Sequence, residues 1–124
     1  MSVERISIQG LRKLLKGQVK EDATCMVKFY SNGCHYCDNL KSYYHDISEN
    51  EEFEKVHFFA FNIDDFPAIE KQLNFNGVPT IFIIKTTASG TGIKLRSLSE
   101  PPEPNPETWY KSKDIINFIK QELR

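Results

Sequence analysis

The sequence predicts an α/β domain with a mixed central sheet flanked by helices. Three observations predict it. Short β-rich apolar runs alternate with stripes of helical period, in the order βαβα then ββα. Two of those runs are apolar on nearly both faces, the mark of strands covered on each side. The chain has 124 residues, enough to bury about two-thirds of its unfolded surface without covalent staples. A single domain over residues 1–124 is the expectation.

The elements follow in order. Ile6 and Ile8 suggest a short first strand. Leu11, Leu14 and Leu15 then fall at helical spacing, and Gly17 is a stop. Residues 25–30, Cys-Met-Val-Lys-Phe-Tyr, read as a strand buried on both faces apart from Lys28. Ser31-Asn32-Gly33 breaks it and offers helix N-caps. Cys37, Leu40, Tyr44 and Ile47 then form one helical stripe. Residues 56–63 read as a second buried strand. Asp64-Asp65 caps a helix with Pro67 in its first turn, an apolar face of Phe66, Ile69 and Leu73, and an end at Asn76-Gly77. Residues 80–84 are a third apolar strand. Ser89-Gly90-Thr91-Gly92 turns the chain into 93–98, whose alternation predicts a sheet-edge strand. Ser112 caps a last helix with a stripe of Ile116, Ile119 and Leu123, and Ile115 beside it. The connection 99–111 before that helix carries four of the six prolines, between Pro101 and Pro106, and is expected to be stiff and exposed.

Composition excludes several classes. With 16 basic and 17 acidic side chains the formal charge is -1, so no basic footprint for nucleic acid exists. No run approaches ~18 consecutive apolar residues, so no membrane span is expected. The N-terminal residues lack the basic start and apolar run of a secretory signal, which points to the cytoplasm. Three cysteines are too few, and odd in number, for a disulfide scaffold.

Cys34 and Cys37 stand at C-x-x-C spacing after a buried strand and at the start of a helix. Unpaired N–H groups and the macrodipole there favour a thiolate on the first cysteine. The thiolate is the nucleophile. One helical turn brings the second sulfur within bonding distance, where it can resolve a mixed disulfide. The competing readings are two structural cysteines or half of a zinc site. A closed zinc site needs four ligands, and Cys25, His35, His45 and His57 repeat neither C-x-x-C nor H-x-x-x-H spacing.

The run Val27-Lys28-Phe29-Tyr30-Ser31-Asn32-Gly33-Cys34-His35-Tyr36-Cys37 resembles the active-site stretch of the thioredoxin superfamily, and of protein disulfide isomerase domains in particular. Asn62-Ile63-Asp64 resembles the end of that family's central strand, and Gly77-Val78-Pro79-Thr80 its cis-proline loop. The resemblance covers residues 5–98 and resumes at the last helix. It implies a thioredoxin-like fold and thiol–disulfide exchange. In that exchange Cys34 attacks, Cys37 resolves, Pro79 shapes the substrate groove and the Val78 backbone pairs with an extended substrate. Gly33, His35 and Tyr36 complete the implied substrate surface. A charged His35 would favour a neighbouring thiolate. The implied partners are disulfide-containing proteins and an external reductase or dithiol. No organic cofactor or metal is needed, and a monomer is expected.

Departures from the family pattern carry information. Gly33 stands where the family usually has Trp, which removes an apolar wall. Lys28 stands where thioredoxin usually carries a buried Asp, and Ala60 is expected opposite it. Either the Lys28 stem packs while its ammonium reaches water, or the ammonium lies near Cys37 and tunes the dithiol. Tyr36 resembles the third position of glutaredoxin's Cys-Pro-Tyr-Cys, but Ser89-Gly90-Thr91-Gly92 does not match the glutathione-binding Gly-Gly-Asp segment. A glutaredoxin-like reductase, a redox-inert adaptor on the same fold and a metal carrier using Cys34 and Cys37 are the alternatives.

Other residues have plainer expectations. Cys25 is a small core hydrophobe, His57 is structural, and Tyr43 and Tyr44 pack their helix. Trp109 and Tyr110 pin the proline-rich connection or form part of a partner site.

Overall fold

The computed structural model describes residues 3–124. Among them are five strands, β1 (Glu4–Arg5), β2 (Ala23–Tyr30), β3 (Val56–Asn62), β4 (Thr80–Thr86) and β5 (Lys94–Ser97). Four α-helices accompany them, α1 (Ile8–Leu15), α2 (His35–Ser48), α3 (Ile69–Leu73) and α4 (Ser112–Glu122). The sheet order is β1-β3-β2-β4-β5. β1, β3 and β2 run parallel, while β4 and β5 are antiparallel to their neighbours. The expected α/β thioredoxin-like architecture is what the chain adopts.

Side-chain alternation along β2 and β4 divides the core into two layers. Met26, Ile81 and Ile83 pack with Leu40, Tyr44 and Ile47 of α2 and Ile115, Phe118 and Ile119 of α4. Cys25, Val27, Phe29, Phe82 and Ile84 face the other way, against Leu11 and Leu14 of α1 and Ile69 of α3. Phe29 centres the second layer, with ring centroids of Phe61, Phe75 and Phe82 at 5.9, 4.9 and 5.6 Å. Phe29, Phe61 and Phe82 are buried, each contributing about 2–3 kcal/mol of transfer free energy, while Phe75 is half-buried. Phe29 thus anchors the strand end that leads into the cysteines.

The structure corrects several local expectations. The first strand is Glu4–Arg5, with only the Ile6 N–H continuing it to the Ala60 carbonyl. Ile8 opens α1, because Ser7 Oγ accepts the Gly10 N–H at 3.1 Å and caps the helix there. Asp64 and Asp65 lie in a 3-10 turn capped by Asn62, and α3 starts only at Ile69. Asn74, in the left-handed region at φ 58°, ends α3 instead of Asn76-Gly77. Lys111 is the N-cap of α4, since its N–H is met by the Asp114 carboxylate at 2.9 Å; Ser112 is the first helical residue. The buried stripe of α4 is Ile115, Phe118 and Ile119, while Leu123 is exposed beyond the helix end. The strand at 93–98 narrows to β5, exposed along its length instead of alternating. The proline-rich connection is not wholly exposed, because Pro101, Thr108 and Tyr110 are buried. Tyr43 is exposed, while its neighbour Tyr44 is wholly buried.

Candidate active site

The cysteines sit where β2 passes into α2. A set of polar contacts holds the intervening turn. Asn62, opposite Tyr30 at the end of β3, donates from its amide to Asn32 Oδ1 at 3.0 Å. The Asp64 carboxylate accepts the Asn32 N–H at 2.8 Å. Asn62 Oδ1 in turn accepts the Asp64 N–H at 3.0 Å. Gly33 then takes φ +73°, in the left-handed region that glycine occupies freely.

Cys34, not the Ser-Asn-Gly run, is the N-cap of α2. Its backbone is extended and its Sγ accepts the Cys37 N–H at 3.1 Å. A cysteine sulfur thus fills the place of a capping oxygen, where an anion is favoured. Cys34 and Cys37 form a disulfide with Cα atoms 5.2 Å apart. Cys37 is buried and Cys34 half-buried, so Cys34 is the sulfur that an approaching molecule meets.

The loop before β4 comes up beside this pair. The Gly77 N–H donates to the Glu70 carboxylate at 2.7 Å, and Thr80 Oγ1 donates to the Gly77 carbonyl at 2.7 Å. The Val78-Pro79 peptide bond is cis. The Val78 carbonyl oxygen lies 3.9 Å from Cys34 Sγ. A groove of about 430 Å³ opens there, lined by Tyr36, Phe75, Val78, Pro79, Trp109 and Tyr110 among others.

His35 is exposed, and its Nε2 faces the Asn39 amide at 3.3 Å. Its ring lies 5.7 Å from that of Tyr36. Lys28 is paired with Ala60 across the β2–β3 ladder. The residue as a whole is 4% exposed. Nζ stands 5.0 Å from the Tyr44 ring centroid and 5.9 Å from that of Tyr30. A cavity of about 470 Å³ brings Lys28 together with Cys37, Asp38, Lys41 and Tyr44. Burial, then the nearby Lys41, pull the Lys28 ammonium down to about 8, against the opposing pull of Asp38.

Cys25 lies away from this site, buried, with its thiol pushed up to about 11 by burial and then by Glu21. His57 is exposed and stacks on Phe59 at 6.4 Å. Among the described residues, no group of three or more His, Cys, Asp and Glu side chains could hold a metal ion. Among the same residues no helix is long and apolar enough to cross a membrane. Two parts of the site escape sequence reasoning: the Asn32–Asn62–Asp64 strap and the contact of Tyr36 with Trp109. The first has a faint signal, Asn and Asp clustered at two strand ends; the second has none.

The thioredoxin family model matches residues 11–97. The chain belongs to the thioredoxin family. Solved structures of the same fold include a Malassezia sympodialis thioredoxin, at 19% identity over 97% of this chain and 90% of that one, with a TM-score of 0.65. Chloroplastic thioredoxin z is similar at 23% identity, 98% and 94% coverage and a TM-score of 0.66. The fourth thioredoxin domain of ERdj5 is similar at 14% identity, 99% and 96% coverage and a TM-score of 0.70.

Proposed function

We propose that this thioredoxin-family chain is a thiol–disulfide oxidoreductase acting on protein disulfides. The observation that carries the reading is the position of Cys34: N-cap of α2, half-buried, its Sγ accepting an amide N–H and facing the Val78 carbonyl. In the reduced protein the Cys34 thiolate attacks one sulfur of a substrate disulfide. A Cys34–substrate disulfide forms and the other substrate sulfur leaves as a thiolate. Cys37 then attacks Cys34 Sγ, closing the Cys34–Cys37 bond and releasing the second substrate thiolate. Two electrons pass to the substrate, and an external dithiol or reductase restores the pair.

The remaining assignments belong to the same proposal. Val78 offers its backbone to an extended substrate segment and Pro79 shapes the floor of the groove. Gly33, His35 and Tyr36 complete the rim. Lys28 tunes the pair from the cavity behind Cys37. The chain works as one domain over residues 1–124 and as a monomer. The test is reduction of insulin by dithiothreitol with wild type and Cys34→Ser. Catalysis by the wild type and none by the variant is expected; a variant that keeps most of the activity displaces Cys34 from the nucleophile's role.

A further inference from the structure

The Trp109 indole reaches the C-x-x-C segment through Tyr36, a contact the local sequence does not foretell. Its ring meets Tyr36, the residue between the two cysteines' flanks, edge to face at 5.5 Å. Both residues line the groove that holds Val78 and Pro79. Gly33, before the first cysteine, adds no wall of its own: a Cβ built there meets nothing within 4 Å, and its φ of +73° disfavours any side chain. The connection before α4 thus supplies two of the groove's four aromatic lining residues, Trp109 and Tyr110, beside Tyr36 and Phe75.

That connection holds the indole firmly. Asn105 and Trp109 exchange both backbone hydrogen bonds at 2.9 Å. Asn105 Oδ1 accepts the N–H groups of Glu107 and Thr108 at 2.8 and 3.1 Å. Asn39 of α2 donates to the Glu107 carbonyl at 2.9 Å, tying the loop to the helix that begins at the dithiol. Tyr110 is buried in the core. Trp109 itself sits at φ 66°, a backbone region that glycine prefers and that bulky residues avoid. A half-buried indole kept there, already immobilised, makes a contact with little further ordering cost. Glu100 is the one charged residue among those lining the groove, and the connection 99–111 carries Glu100, Glu103 and Glu107 against the single Lys111 at its end.

We propose that Trp109 is the apolar anchor of the substrate groove, selecting disulfides flanked by a large apolar side chain and a basic one. This rests on the oxidoreductase reading above and names its substrate class. The indole would cover the apolar side chain, as buried aromatics do at binding hot spots. Glu100 would favour the basic one.

Three synthetic cystine peptides test it, identical except for a Phe-Lys, Ser-Lys or Phe-Glu pair beside the cysteine. The expected wild-type KM is about tenfold lower for Phe-Lys than for Ser-Lys. It is severalfold lower for Phe-Lys than for Phe-Glu, a gap that closes with added salt. Trp109→Gly suits the backbone and removes the ring, so it raises the Phe-Lys KM to the Ser-Lys value with kcat retained. Trp109→Phe recovers most of the preference. Equal wild-type KM values for Phe-Lys and Ser-Lys, or a fall in kcat on all three peptides with Trp109→Gly, overturn the anchor. Equal values for Phe-Lys and Phe-Glu overturn the basic half. A wild type that reduces neither peptides nor insulin overturns the oxidoreductase reading and this one together.

Discussion

Replacing Lys28 with methionine removes a charge from beneath α2 and keeps the volume of the stem. Lys28 is only 4% exposed. Its ammonium falls from 10.5 to about 8, mainly through burial. At ~1.4 kcal/mol per pKa unit the drop amounts to a penalty of about 3 kcal/mol. In the unfolded chain Lys28 keeps its proton to about pH 10.5, and in the folded protein only to about pH 8. Between those values the unfolded state binds more protons, so this group's contribution to stability rises with pH. The penalty is complete below pH 8 and relieved by about pH 10.5. Lys28→Met is therefore expected to gain about 2–3 kcal/mol at pH 7, in the range seen when buried charges give way to apolar groups. The gain shrinks as pH rises through that window. Cys25 acts in the opposite sense: its thiol is raised from 9.0 to about 11, so stability falls as pH rises through that range, equally in both proteins. Urea titrations of the oxidised proteins at neutral pH and near pH 10 measure the difference. A variant less stable at neutral pH, or a gain that persists undiminished near pH 10, refutes the reasoning. A redox consequence follows from the cavity that Lys28 shares with Cys37. A charged Lys28 favours the thiolates of the reduced protein, so Lys28→Met makes the reduction potential more negative, by roughly 30 mV for each ~1.4 kcal/mol of lost stabilisation. Coincident thiolate-absorbance titrations of wild type and variant would place the ammonium out of reach of the dithiol.

Other expectations come from single contacts. Tyr44→Phe removes the donor to the Phe59 carbonyl at 2.9 Å and should cost about 1–2 kcal/mol in chemical denaturation, because a part-buried acceptor loses its partner; no change would mean that the carbonyl finds another donor. Gly33→Ala forces a side chain onto a positive φ and should cost about 1 kcal/mol, read from the same denaturation curves. Cys25 is buried with a raised pKa, so iodoacetamide should label the oxidised protein only on unfolding, and rapid native labelling would contradict its burial. Cys25→Ala should leave disulfide exchange nearly intact.

Much of the fold was legible in the residues because burial writes a period into them. β2 and β4 are apolar on both faces, and the stripe of Cys37, Leu40, Tyr44 and Ile47 is the buried face of α2. The ends of the elements were less legible. At Cys34 a disulfide sulfur caps in place of a side-chain oxygen, and at Lys111 a backbone N–H is met from Asp114 inside the helix. Both are hydrogen-bond choices that periodicity does not record. The α4 stripe turned away from Leu123 because the helix stops at Glu122, leaving that residue beyond the packed turn. The pairing of Lys28 with Ala60 is legible from the sequence, but the approach of its ammonium to the Tyr44 and Tyr30 rings is not. The approach of Trp109 to Tyr36 is tertiary in origin, since nothing in either segment specifies the other.

The dithiol's direction of attack is tested most directly by trapping. Cys37→Ser, reduced and mixed with a disulfide-containing protein, retains the attacking thiol and lacks the resolving one. Intact-mass and peptide mass spectrometry should find a stable mixed disulfide on Cys34, which dithiothreitol releases, while Cys34→Ser under the same conditions should form none. An adduct on Cys25, or equal trapping by both variants, would contradict the assignment of Cys34 as the nucleophile.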